Sequence, residues 1–167
     1  MNIDFSSIRQ DVINQVRAEY LQKEEEKVLK NATSVTPEVL VKLGSLVKET
    51  NLLQVLKDCK RRQDRKEKEL FAQRQAIEAK FKKQKDAILT KEMLGVKVDP
   101  SELKKLEKEK DKKLHIMDLL VLKEMDKEVK YLQQEFVNLE VPLFRVTQDP
   151  KQLKLQQKIL NMLQDML

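Results

Sequence analysis

The chain has 167 residues, of which 37% are charged and 4% aromatic, with two glycines, no tryptophan and a formal net charge of +6. Such a composition excludes a compact enzyme core, and it excludes a disordered polyelectrolyte as well, because the charges are mixed in sign, sit on good helix formers and alternate with periodic Leu, Ile, Met and Val. What remains is an all-α protein built from long helices.

From Phe5 to Lys30 the apolar residues Phe5, Ile8, Val12, Val16 and Tyr20 recur at three- and four-residue steps, which predicts an amphipathic helix whose second half is almost wholly charged. A polar loop, Asn31 to Thr36, leads to a short helix from Pro37 to Glu49, with Leu40, Leu43 and Val47 on one side and Gly44 weakening it. Periodicity leaves open whether the chain breaks or bends at Thr50 and Asn51. A long helix follows from Leu52 to Leu94, a second from Pro100 to Glu140, then a loop containing Pro142 and a final helix from Asp149 to Leu167. Three helix starts are marked by Thr36-Pro37, Asp99-Pro100 and Asp149-Pro150. Proline tolerates the first turn, where its missing N–H has no role, and the preceding oxygen accepts a free backbone N–H.

The two long helices mirror each other about Gly95 to Pro100. Ile88 with Leu106, Phe81 with Leu114, Ile77 with Met117, Leu70 with Met125, Cys59 with Phe136 and Leu56 with Leu139 have position numbers that add to 194 or 195. A constant sum is the signature of an antiparallel helical hairpin, and a coiled coil needs only a narrow apolar stripe per helix. A parallel homodimer would use the same stripe, but glycine and proline between the helices favour a turn. The predicted organisation is N-terminal helices over 1–50, a coiled-coil hairpin over 51–140 and a loop with an amphipathic helix over 141–167. The seam is thin between Cys59 and Leu70, where Lys66 and Gln63 are expected to meet Val129 and Leu132. Near the turn, Lys110 is expected beside Gln84 and Lys85. A long lysine lays its methylenes across such a seam with its head in water. So sparse a stripe makes a marginal two-helix unit, which implies that something else packs on it.

Charge is concentrated between Lys60 and Asp86, where eleven basic residues face five acidic ones, the whole of the net excess. Lys60, Arg61, Arg62, Arg65, Lys82, Lys83 and Lys85 form a candidate basic strip for an acidic surface, against the simpler expectation of a solvated coiled-coil face. Interspersed Asp64, Glu67 and Glu69 and the scarcity of aromatics argue against specific nucleic-acid binding. In the C-terminal segment Phe144, Val146, Leu153, Leu155, Ile159, Leu160 and Leu163 cover more than a coiled-coil stripe. They form either core folded onto the open end of the hairpin or a docking surface for a partner.

No motif for catalysis stands out. Gly44 and Gly95 make no phosphate loop, and a lone His115 and a lone Cys59 fit no metal or thiol–imidazole spacing, so no catalytic, cofactor or metal residues are expected. One cysteine and the lack of a basic-then-apolar start or a bilayer-length apolar run suit a soluble intracellular protein without a membrane span.

The run Met117-Asp118, Glu124, Asp126, Val129, Gln133, Val141, Phe144, Val146-Thr147, Pro150, Leu153, Leu155-Gln156 and Leu160 resembles the DiGeorge critical region six family, which includes the insect gonadal protein. Glu67-Lys68, Leu70 and Gln73-Arg74 are similar too, and Phe144 to Leu160 is the most specific part. The resemblance implies an intracellular, coiled-coil, non-enzymatic protein of nuclear or cytoplasmic setting, and carries no active-site residues. The N-terminal helix is dissimilar to the family and more charged, and the chain ends directly after the amphipathic helix. Together these features lead to an expected adaptor or architectural subunit that docks helical protein partners, with homo-oligomerisation open. The alternative is a basic coiled coil lying on microtubules in a ciliary or cytoskeletal assembly.

Overall fold

The structure is a computed structural model and describes residues 10–167; the predicted contributions of Phe5 and Ile8 lie outside the described residues. Five helices follow one another: α1 (Gln10–Lys30), α2 (Pro37–Glu49), α3 (Leu52–Met93), α4 (Pro100–Asn138) and α5 (Pro150–Gln164). All three proline-marked starts are used. Thr36 Oγ1 accepts from the Val39 amide at 3.3 Å, Asp99 Oδ1 from Ser101 at 2.9 Å and Asp149 Oδ1 from Lys151 at 3.1 Å. Between α2 and α3 the chain does break. Thr50 serves both helices, because its hydroxyl donates to the Leu46 carbonyl at 2.5 Å and accepts from the Leu52 amide at 3.3 Å.

The helices form two compact units, Gln54–Leu132 and a discontinuous one made of residues 10–53 with 133–167. In the first, α3 and α4 pack antiparallel as a hairpin. The turn is set by Gly95 at φ 75°, in the left-handed region where a Cβ is costly. Its amide donates to Glu92 and the Val96 amide to Lys91, the paired bonds that close a helix C-terminus around such a residue. Leu70, Phe81, Ile88 and Met117 are buried along the seam, while Ile77, Leu106, Leu114 and Val121 are half-buried. Cross-helix ion pairs Arg62–Glu128, Lys66–Glu124, Arg74–Asp118 and Lys85–Glu107 have positions that sum to 190 or 192. They sit beside the apolar layers and share their antiparallel order.

In the middle of the hairpin the seam differs from expectation. Val129 is 45% exposed, whereas its neighbour Glu128 is buried at 8%. The ammonium of Lys66 pairs with Glu124 at 3.3 Å, and Arg62 Nε donates to Glu128 Oε2 at 2.6 Å. With nine of the ten residues between Cys59 and Leu70 charged, α3 has no apolar side chain in that stretch to cover Val129, and opposite charges lock at short range instead. Arg62 also lies over the Tyr131 ring at 4.0 Å.

In the second unit, α2 buries Val39, Leu43 and Leu46. The predicted face was Leu40, Leu43 and Val47, yet Leu40 is 45% exposed. Both stripes are apolar at helical spacing, so periodicity alone does not choose between them. The helix α5 folds onto the C-terminal end of α4. Phe136 and Phe144 pack at a tilt of 53° with centroids 4.7 Å apart, and Ile159 and Leu163 are fully buried. Two buried glutamines brace the loop that joins the helices. Gln133 Nε2 donates to Gln156 Oε1 at 2.9 Å and to the Thr147 carbonyl at 3.2 Å, and its Oε1 accepts from the Thr147 amide at 3.3 Å. Gln156 Nε2 in turn donates to the carbonyls of Leu143 and Arg145. Loop backbone that would otherwise lose its hydrogen bonds on burial is thereby satisfied.

Candidate partner-docking surfaces

The basic strip foreseen on α3 is divided by the fold. Arg62 and Lys85 turn across the seam to Glu128 and Glu107, and Arg61 sits 3.8 Å from Asp58 on its own helix. Lys60, Arg65, Lys82 and Lys83 are exposed and meet no acidic partner among the described residues. Pairing tunes the ionisation of the groups it involves. The hydrogen bond to Glu128 holds Arg62 above its ordinary value, and that to Asp118 does the same for Arg74. Glu124 is held below the ordinary carboxylate value, first by its hydrogen bond from Lys127 and next by that from Lys66. The four cross-helix pairs draw four acids of α4 towards α3.

Apolar side chains also remain outside the seam of the hairpin. Phe71 is 62% exposed at the edge of a cleft of about 600 Å³ whose walls include Leu70, Val121 and Met125, with Arg74 and Asp118 at its rim. On α4, Ile116 is 66% exposed, Leu119 53% and Leu122 63%. Sequence reasoning missed them, although the run from Ile116 to Leu122 holds six apolar residues in seven, more than one seam can bury.

In the other unit the foreseen docking residues divide between core and surface. Phe144, Ile159 and Leu163 are core, Leu153, Leu155 and Leu160 are half-buried, and Val146 is half exposed. A cleft of about 540 Å³ is lined by Leu29, Lys42, Val137 and the loop from Glu140 to Arg145. Helix α1 buries no residue, and Val12, Val16, Tyr20 and Leu21 all stand exposed. Among the described residues no cluster of His, Cys, Asp or Glu could hold a metal, and no helix is long and apolar enough to cross a membrane.

Comparisons with known protein families, with curated proteins and with solved structures find nothing that matches this chain.

Proposed function

We propose that the protein is a non-enzymatic coiled-coil adaptor, an architectural subunit of a larger intracellular assembly that docks helical partners through its helix faces. The observation that carries this is α1, a helix of 21 residues with none buried and with valines and a tyrosine in water. Helices in water draw most of their stability from packing an apolar face, so α1 is the kind of element that a partner completes. The resemblance of residues from Met117 to Leu160 to the DiGeorge critical region six family implies a coiled-coil, non-enzymatic protein and no particular molecular activity. Affinity purification of the tagged full chain with cross-linking mass spectrometry tests the adaptor function. Cross-links from Lys23, Lys27 or Lys30 to a reproducible partner, lost with Val16→Asp, support docking; a chain that purifies alone, or a purified chain with turnover, refutes it.

A second possibility has its own support. Lys60, Arg65, Lys82 and Lys83 are uncompensated on the surface of α3, as a coiled coil lying on the acidic face of a microtubule in a ciliary or cytoskeletal assembly would require. Co-pelleting with microtubules at two ionic strengths decides it. Binding by this route falls steeply with salt and with Arg65→Glu and Lys83→Glu, whereas adaptor docking through apolar side chains tolerates salt.

A further inference from the structure

Helix α4 carries a second stripe, on the side away from its seam, and its charge is hidden in the composition. Lys105, Lys108 and Lys112 lead, at three- or four-residue steps, to Ile116 and Leu119. The same steps continue through Lys123, Lys127 and Lys130, and every member of the line is exposed. At 1.5 Å per residue the stripe is about 38 Å long. Only Lys127 of its six lysines has an acidic partner among the described residues, Glu124 at 2.7 Å. Four acids of the same helix, Glu107, Asp118, Glu124 and Glu128, are drawn to α3 by Lys85, Arg74, Lys66 and Arg62. Beside the stripe, Glu109 is held by Lys113 at 3.7 Å, and Asp111 and Asp126 are the two acids there without an ion pair among the described residues.

We propose that this face of α4 docks an acidic amphipathic helix of a partner protein, with two apolar side chains of that helix seated on Ile116 and Leu119 and acidic residues to either side of them meeting the lysines. The proposal rests on the adaptor function above and names the chemistry of one partner. Charge complementarity selects an acidic ligand, and the spacing selects a helix, since ridges at three and four residues fit the ridges of another helix laid alongside. A lipid surface is a poorer fit, because an in-plane membrane helix needs an apolar face along its length and lysines share this line with the isoleucine and leucine. Duplex nucleic acid is poorer still, for phosphates have no use for two bare aliphatic side chains at the centre of the site.

The test is fluorescence anisotropy of the full chain with a labelled synthetic helix of about 25 residues, matched to the stripe length. The helix carries glutamates along one stripe and isoleucine and leucine at its centre. A second peptide has serines at those two positions. Parallel arms use phosphatidylserine–phosphatidylcholine vesicles and a DNA duplex. Binding of the first peptide should weaken by about tenfold or more with Leu119→Asp, with Lys112→Glu/Lys123→Glu and with the serine peptide, and stay unchanged with Lys83→Glu on α3. Circular dichroism checks that each variant keeps its helices, which substitution of exposed residues allows. Equal binding of the two peptides, no response to Leu119→Asp, or tighter binding to vesicles or duplex overturns the proposal. Purification of the same variants from cells separates the two levels. A partner set that survives Leu119→Asp sinks this site and spares the adaptor function, and a wild-type chain without partners sinks the adaptor function itself.

Discussion

Gln133 and Gln156 hold each other by their side-chain amides at 2.9 Å, at 1% and 3% exposure, and together they satisfy five hydrogen bonds around the loop between α4 and α5. A substitution on either side strands several polar groups at once. Gln156→Leu leaves the Leu143 and Arg145 carbonyls and the Gln133 amide short of partners, and should cost about 2–3 kcal/mol in urea denaturation. Gln157→Leu, on the exposed neighbouring position, should stay within about 0.5 kcal/mol of wild type.

Removing Arg62 leaves Glu128 in the seam without its cation. Because Arg62 is itself half exposed, Arg62→Ala should destabilise by about 1–2 kcal/mol. Replacing both partners by apolar residues, Arg62→Met with Glu128→Leu, should recover most of that loss, and a double-mutant cycle by chemical denaturation measures the coupling.

Acid should weaken the hairpin through Glu124. Its folded-state value is depressed by Lys127 and then Lys66, so the stability contributed by its ionised form is complete above the unfolded-state range and is lost as pH falls through the lower folded value. Thermal melts between pH 7 and pH 3 should show a smaller decline for Glu124→Gln than for wild type.

Glu140 ends α4 at φ 57° with its amide bonded to Val137, a left-handed position usually held by glycine. Glu140→Gly should stabilise by up to about 1 kcal/mol, and Gly95→Ala should destabilise by about 1 kcal/mol through backbone strain, since a Cβ there meets no neighbour. Opposite shifts in melting temperature are the readout.

The hairpin also makes a chemical prediction. Zero-length carbodiimide coupling should join Lys85 to Glu107 and Lys66 to Glu124 within one chain, as these pairs lie 3.6 and 3.3 Å apart. Peptide mapping of the monomer band checks both links.

The turn, the three proline-marked starts and the antiparallel order of α3 and α4 were legible because each follows from local chemistry: a left-handed glycine, a capping oxygen, a repeating apolar step. Glu128 was not, since periodicity sends the apolar Val129 inward and carries no sign of an arginine 66 positions away. The glutamine brace was equally hidden, for an amide side chain gives no periodic signal and its partners are loop carbonyls placed by the tertiary fold. The buried stripe of α2 was ambiguous for a third reason, that Val39 and Leu40 are both apolar. Of the foreseen docking residues, Phe144, Ile159 and Leu163 lie in the interior, because hydrophobicity alone does not distinguish a core from an interface.

The inward pairing of the acids of α4 has an electrical consequence. Between Lys105 and Lys130 the helix carries eight lysines and seven carboxylates, so from far away it looks almost uncharged. Within about a Debye length, 8 Å at physiological salt, the two sides separate and the rod becomes polarised across its width. An approaching acidic body would then feel a torque before it feels a contact, and would meet the lysine side first.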